Sequence, residues 1–234
     1  MCGIAGVVAF GRSDTLTKPA QQAVTRMIDA MYRRGPDGRG EAVFPGPALG
    51  HARLSIIDLE GGHQPMFDVA RETCLVVNGE IYDYRSLRDE LSRRHAFQTQ
   101  SDSEVLLHTW REKGGSFRKH INGMYGYAVY ATETGILEIG VDPVGIKPLY
   151  WYRCSDFFVF ASELRGIVAG LASLGVELSV NESAVRSYLM QGWVPGDETG
   201  ISGVYKLLPG ESIEVDRELD IVRRVDKDIL GSDQ

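Results

Sequence analysis

Basic charge is scarce in this chain of 234 residues. Lys and Arg total 25 against 32 Asp and Glu, which gives a formal net charge of −7. The basic runs Arg33-Arg34 and Arg93-Arg94 are too short to reverse this balance. Proteins that bind nucleic acid or anionic membranes need clustered Lys and Arg for phosphate contacts, so the sequence argues against both classes.

Long apolar runs and paired cysteines are missing as well. No stretch approaches the roughly 20 apolar residues of a transmembrane helix, and the apolar start of the chain lacks a positively charged leader and a cleavage site. Cys2, Cys74 and Cys154 are far apart, without the spacing of a zinc or redox site. An odd number of unpaired thiols is typical of a reducing compartment, so we expect a cytoplasmic protein with no metal site.

The apolar pattern that is present predicts an α+β protein. Gly3 to Phe10 has the composition of a strand buried on both faces, and Ala48 to Ile57 and Thr73 to Val77 are also strand-like. Four β-rich runs between Met124 and Ala161 predict an antiparallel meander. Because the strands are grouped instead of alternating with helices, a layered α+β domain is favoured over a doubly wound one.

Apolar residues recur at helical spacing in the segment that begins at Pro19 and again in several later segments. In one of them, Ser101 and Glu104 have the spacing of a capping box. That spacing predicts a helix with Asp102 in its first turn.

Cys2 has the chemistry of a nucleophile. A small residue in second place normally allows removal of the initiator Met, which leaves Cys2 with a free α-amine. Such an amine titrates at about 7.7 to 8.0, so it can take the proton of the thiol beside it. The alternative at this stage is an incidental thiol at a frayed end.

Polar residues at three other places are suited to the same chemistry. The Asn78 amide and the Gly79 N–H could stabilise a tetrahedral oxyanion, although Asn-Gly is also a common turn. Arg53, within an apolar strand, could hold a substrate carboxylate or form a structural salt bridge. Asp102 could bind a substrate ammonium together with Glu80, or could simply cap a helix.

Taken together, the motifs resemble the glutaminase domain of asparagine synthetase, a class II glutamine amidotransferase. The resemblance covers nearly the whole chain. It is carried, in order, by MCGIAGVV, RGPDG, GHARLSIIDLEGGHQPM, VVNGEIYDY, SDSE, GMYGYAVY, GIKPLY and ASE. It implies an N-terminal-nucleophile hydrolase fold, which is a four-layer αββα sandwich of two antiparallel sheets.

The resemblance also implies an activity and a role for each candidate. The activity is hydrolysis of the side-chain amide of glutamine to glutamate and ammonia, with no metal or organic cofactor at this site. Cys2 would be the nucleophile, with its own α-amine as the base, and Asn78 and Gly79 would form the oxyanion hole. Arg53 would bind the α-carboxylate of glutamine, and Glu80 and Asp102 would bind its α-amino group.

In the family, ammonia passes to a second domain that uses ATP and Mg²⁺ to activate aspartate. Its Ser-Gly-Gly-x-Asp-Ser pyrophosphate loop does not occur in this sequence. We therefore expect an amidotransferase domain over residues 2–215 and a charged tail or linker over 216–234. The expected partners are L-glutamine and a synthetase domain or subunit that receives the ammonia; a homodimer is left open.

Two departures from the family pattern leave the coupling to a synthetase surface and the identity of the ammonia acceptor open, and two other functions stay open as separate alternatives. Arg33 stands where a His is usual before the RGPD motif, and Val141-Asp142 stands where Arg-Asp is usual. The first alternative is a catalytically silent domain that docks or regulates a synthetase. The second is an N-terminal-nucleophile amidase for a different amide. Neither departure falls on a residue that the resemblance assigns to glutamine.

Overall fold

The computed structural model describes residues 1–10, 17–216 and 221–225. Its strands are β1 (Gly3–Ala9), β2 (Gly38–Val43), β3 (Pro47–Arg53), β4 (Met66–Phe67), β5 (Thr73–Ile81), β6 (Gly123–Ala131), β7 (Ile136–Val141), β8 (Tyr150–Arg153), β9 (Phe157–Ala161), β10 (Val204–Lys206), β11 (Ser212–Asp216) and β12 (Ile221–Val225). Its helices are α1 (Thr17–Ala30), α2 (Tyr84–Leu91), α3 (Ser103–Lys113), α4 (Leu164–Ser173), α5 (Glu182–Gln191) and a 3₁₀ helix over Gly114–His120.

The strands form two antiparallel sheets that pack face to face. The first has the order β10-β8-β9-β1-β3-β2 and the second β12-β11-β7-β6-β5-β4. Helices α1 and α4 cover the outer face of the first sheet, and α3 packs on the outer face of the second. The predicted αββα sandwich is therefore confirmed. In the part of the chain described, no helix is both long and apolar enough to cross a membrane.

Strand β1 lies in the middle of the first sheet, and its sequence explains why. Every one of its residues is buried. Ile4 and Val8 point into the core between the sheets, whereas Ala5 and Val7 face the helical layer. A side chain at Gly6 would begin 2.3 Å from the Phe160 ring, so glycine is required there for the opposite side chain to fit.

Two strand predictions were wrong because they depended on distant pairing. The four runs expected to form one meander divide into two hairpins: β6 and β7 join the second sheet, and β8 and β9 join the first. The run from Ala48 to Ile57 leaves the sheet after Arg53, where the backbone of Leu54 binds Cys2 instead of a strand. Part of the expected tail, Ile221–Val225, pairs with β11.

Candidate active site

A pocket lies where the ends of β1 and β3 meet the edge of β5. Its empty volume is about 560 Å³, a figure that includes space open to solvent. The structure brings all the predicted site residues to this pocket: Cys2, Arg53, Asn78, Gly79, Glu80 and Asp102. They come from both sheets and from the loop before α3, so no local segment could form the pocket by itself.

Cys2 is held at the pocket by the backbone of Leu54. The Leu54 N–H donates to Cys2 Sγ at 3.3 Å, and the thiol lies 3.5 Å from the Leu54 carbonyl oxygen, to which it donates. Burial raises the pKa of the Cys2 thiol above its usual value, and the Leu54 contact and the positive charges of the chain terminus, Arg53 and Arg34 oppose this effect. The resting thiol is therefore protonated at pH 7 and needs a base to become a nucleophile.

The RGPDG motif fixes the backbone of Cys2. Arg34 Nε donates to the Cys2 carbonyl at 2.8 Å, and Arg34 Nη1 forms an ion pair with Glu163 at 3.0 Å. Gly35 crosses β3 so closely that a Cβ atom would lie 2.2 Å from the carbonyl carbon of Ala52. Arg34 was not predicted as a site residue, although its motif was one of those that carried the resemblance.

The edge of β5 that faces the pocket carries alternate backbone N–H groups. Val77 N–H donates to the Gln64 side chain at 2.6 Å, and Ile81 N–H donates to the Asp102 carboxylate at 2.8 Å. Gly79 lies between them with the same orientation, because N–H groups two residues apart in a strand point to the same side. On the opposite strand, the N–H and C=O of Tyr125 both bond to Asp142. The Gly79 N–H is therefore directed away from β6 and into the pocket.

Asn78 supplies a second donor at the same place. Its side chain is 2% exposed, and Nδ2 has no hydrogen-bond partner among the described residues. Asn78 and Gly79 do not form a turn: they pair with Gly126 and Tyr125 inside a continuous strand. The turn interpretation is thus wrong, because the long pairing with β6 outweighs the local preference of Asn-Gly. An unpaired amide donor beside a backbone N–H directed into the pocket is suited to an oxyanion.

Arg53 lies at the end of β3 and is almost fully buried. Its guanidinium donates to the carbonyl oxygens of Asp58 and Leu59, the latter at 2.9 Å. Among the described carboxylates, none forms an ion pair with Arg53. A cation held by neutral groups keeps its charge available for an anionic ligand, so the structure favours ligand binding over a structural salt bridge.

Glu80 and Asp102 contribute two carboxylates to the lining of the pocket. The predicted capping box does not form: Ser103 N–H bonds to Ser101 Oγ at 3.2 Å, and Glu104 accepts from the Gln98 and Thr99 N–H groups. Asp102 precedes α3 instead of lying in its first turn.

The Asp102 carboxylate contacts β5 through the Ile81 N–H. Burial raises its pKa above the usual value, opposed by hydrogen bonds from backbone N–H groups. A nearby ammonium group would favour its charged form, so Asp102 is suited to bind one.

Among the residues that line the pocket and were not predicted, two, His51 and Lys147, have basic side chains. His51 is 1% exposed, and burial lowers its pKa to about 3, so the ring is neutral at pH 7. It could have been found from the HARLSI motif, because it lies two residues before Arg53 on the same face of β3. Lys147 belongs to the GIKPLY motif, and its side chain reaches the pocket from the turn after β7.

Asp142 organises the turn that carries Lys147. Its carboxylate is fully buried and accepts four backbone N–H bonds, from Tyr125, Val144, Ile146 and Lys147, at 3.0 to 3.2 Å. One carboxylate therefore connects this turn to β6, the strand that pairs with the donors of β5.

Replacing Asp142 with Asn should lower the free energy of unfolding by about 3 kcal/mol, because an amide cannot satisfy four N–H donors with one oxygen. Urea unfolding measures the change. Asp156→Asn, on an exposed turn, is the matched control and should change stability by less than about 0.5 kcal/mol. A loss below about 1 kcal/mol for Asp142→Asn would show that the carboxylate does not hold the turn.

Comparison with known proteins identifies the family of the chain. A family model described as a glutamine amidotransferase domain matches residues 1–224. A putative glutamine-hydrolysing asparagine synthetase of Methanocaldococcus jannaschii is 30% identical over 96% of this chain and 46% of its own length. Asparagine synthetase B of Escherichia coli is 34% identical over 84% of this chain and 36% of its own length. The chain thus spans less than half the length of these relatives.

Among solved structures, glutamine phosphoribosylpyrophosphate amidotransferase from Bacillus subtilis superposes with a TM-score of 0.67. It is 20% identical, and the match covers 96% of this chain and 49% of that one. The two packed antiparallel sheets, their helical layers and a cysteine beside β1 define an N-terminal-nucleophile hydrolase fold. Within that class, the chain belongs to the glutamine amidotransferase domain family.

Proposed function

We propose that this domain hydrolyses the side-chain amide of free glutamine to glutamate and ammonia. The observation that carries the proposal is the Asn78 Nδ2 donor, which has no partner among the described residues, beside Gly79 in one pocket with the Cys2 thiol. A buried amide donor without a partner is costly for folding, and an oxyanion that forms during catalysis gives it a use.

The chemistry requires that Met1 be removed. With Met1 in place, the nitrogen of Cys2 belongs to an amide and cannot act as a base. Once the α-amine is free, it takes the proton of the Cys2 thiol, and the thiolate attacks the side-chain carbonyl carbon of glutamine.

The carbonyl becomes a tetrahedral oxyanion that accepts hydrogen bonds from Asn78 and Gly79. The protonated α-amine then gives its proton to the departing ammonia, which leaves a γ-glutamyl thioester on Cys2. Water, deprotonated by the same amine, attacks the thioester and releases glutamate and the thiol. These steps use only protein groups and water.

The charges of the pocket favour a free amino acid as substrate. Arg53, Glu80 and Asp102 line the pocket; Arg53 would bind an α-carboxylate, and Glu80 and Asp102 would bind an α-ammonium. A substrate with both groups would be held at three points, which fixes its side chain relative to Cys2.

We also propose that the ammonia passes to a synthetase domain or subunit, with residues 2–215 forming the hydrolytic domain. The two curated relatives described above are named as glutamine-hydrolysing asparagine synthetases, and the chain matches under half of each. ATP and Mg²⁺ would act in that partner. The three free cysteines favour a reducing compartment such as the cytoplasm.

Substrate analogues test the proposal. Protein whose intact mass shows loss of Met1 should release glutamate from glutamine. The analogues N-acetylglutamine and 4-aminobutanamide lack, respectively, the free α-amine and the α-carboxylate. The value of kcat/KM should be about 100-fold lower for each, because each loses one set of charged hydrogen bonds.

Each alternative corresponds to a different result. Equal rates with all three compounds would indicate an amidase for another amide. Protein that lacks Met1 and releases no glutamate would favour the silent docking or regulatory domain. Full activity in protein that retains Met1 would contradict the role of the α-amine.

A further inference from the structure

Lys147 presents a buried charge that the proposed mechanism does not use. Its side chain lines the pocket and the residue is 6% exposed. Within the described part of the chain, Lys147 Nζ donates a hydrogen bond to Met1 Sδ at 3.5 Å. A thioether is a weak acceptor, and burial of an ammonium without a carboxylate is costly. Structural pairing therefore does not explain why a lysine is placed here.

Hydrogen bonds and close contacts fix the backbone of Lys147, and this determines the point from which its side chain enters the pocket. Its N–H donates to Asp142 at 3.1 Å. Its carbonyl oxygen would be 3.4 Å from a Cβ atom placed on Gly126, the residue that pairs with Asn78. Gly145, with φ 71°, supplies the left-handed conformation that the turn requires. The turn thus fixes the backbone of Lys147 next to β6, the strand that pairs with the oxyanion donors of β5.

The side chain of Lys147 contacts the residue that precedes Cys2. Met1 Sδ, the atom that it contacts, belongs to the residue bonded to the Cys2 nitrogen. After Met1 is removed, that nitrogen is the α-amine, and the contact position of Met1 becomes open. Lys147 and Cys2 both line the pocket, so the ammonium and the α-amine then share it without the intervening Met side chain.

Other charged or titratable groups around this position come from every neighbouring element. Arg34 Nη2 is 4.0 Å from Met1 Sδ, but Arg34 is paired with Glu163. The remaining groups that line the pocket are His51 and Arg53 on β3, Glu80 on β5 and Asp102 before α3. The two carboxylates are those assigned to the substrate ammonium, so a bound substrate would neutralise them. Lys147 is then a cation without a carboxylate partner on the terminal side of Cys2.

We propose that Lys147 is a positioning residue that keeps the Cys2 α-amine in its neutral, proton-accepting form. Two ammonium groups close together repel each other, so the charged form of the amine is disfavoured. A neutral α-amine can take the thiol proton at a lower pH than an isolated terminal amine could. This inference rests on the proposed function, because it concerns the base of that reaction.

The test compares pH profiles of Lys147→Met, Lys147→Arg and the parent, each shown by intact mass to lack Met1. The acidic limb of kcat/KM for glutamine should move up by about one pH unit in Lys147→Met. It should return towards the parent position in Lys147→Arg, which restores the charge. Lys18→Met, on the exposed face of α1, is the matched control and should not move the limb. An unmoved limb in folded Lys147→Met, or equal shifts in the Met and Arg variants, would overturn the proposal.

A second measurement does not depend on activity. In a Cys2→Ala background, the α-amine can be titrated by the pH dependence of its acylation, read by mass spectrometry. Its pKa should lie below the ordinary 7.7 to 8.0 and should rise when Lys147 is replaced by Met, or by Gln if the Met variant does not fold. A parent value at or above 8 would overturn the role of Lys147. If the pKa of the α-amine is lowered but the parent protein does not hydrolyse glutamine, the result would count against the proposed function and not against the role of Lys147.

Discussion

Replacing Cys2 with Ala should reduce glutamate release to the assay background, a loss of at least about 10⁴-fold in kcat. No other described cysteine lines the pocket, and the variant keeps the α-amine but has no atom to form the thioester. Glutamate formed from glutamine, measured with a coupled dehydrogenase, gives the rate.

The structure supplies a matched control for this change. Cys154, half-buried on the turn between β8 and β9, is outside the pocket, so Cys154→Ala should keep the parent rate within about twofold. Thermal unfolding of both variants checks that the fold is intact. Added hydroxylamine should trap γ-glutamyl hydroxamate with the parent and none with Cys2→Ala. Glutamate release by Cys2→Ala at more than a tenth of the parent rate would refute Cys2 as the nucleophile.

Replacing Asn78 with Ala should lower kcat by about 10² to 10³-fold with little change in KM. This is the usual effect of removing one oxyanion donor, because the donor binds the charge that develops in the transition state more strongly than the ground-state amide. Steady-state kinetics with glutamine separate the two constants. Asn122→Ala, with an exposed side chain, is the control and should leave both unchanged.

The same variant should not lose stability. Asn78 Nδ2 has no partner among the described residues, so its removal eliminates a buried unsatisfied donor instead of breaking a hydrogen bond. We expect Asn78→Ala to unfold in urea at the parent midpoint or above it. A higher KM with kcat retained would assign Asn78 to substrate binding, and a large loss of stability would assign it a structural role.

Much of the candidate site was predictable because its residues occur in short, ordered motifs. The motifs around Cys2, Arg53, Asn78 and Asp102 predicted residues that the structure brings into one pocket. Their catalytic and binding roles stay predictions until the variants are measured. The αββα layers were predictable for the same reason, and the two packed sheets of the structure confirm them.

Local patterns gave way to other contacts at two places. The turn preference of Asn78-Gly79 was the alternative to an oxyanion role, but nine residues of β5 pair with β6 and keep it extended. There the free energy of several non-local hydrogen bonds exceeds that of one local motif. Ser101 and Glu104 have capping-box spacing, but Glu104 accepts instead from the Gln98 and Thr99 N–H groups, six and five residues before it.

The sequence by itself determined the family, the layered fold and the set of chemical groups at the site, because these depend on residue identity and order. Only the tertiary structure decided which of those groups are free to act. The Gly79 N–H faces the pocket because the Tyr125 backbone bonds to Asp142. Lys147 faces the chain terminus because Asp142 also holds its turn. Both depend on strand pairing between segments distant in sequence, where the direction of a hydrogen bond is set by the register of the sheet.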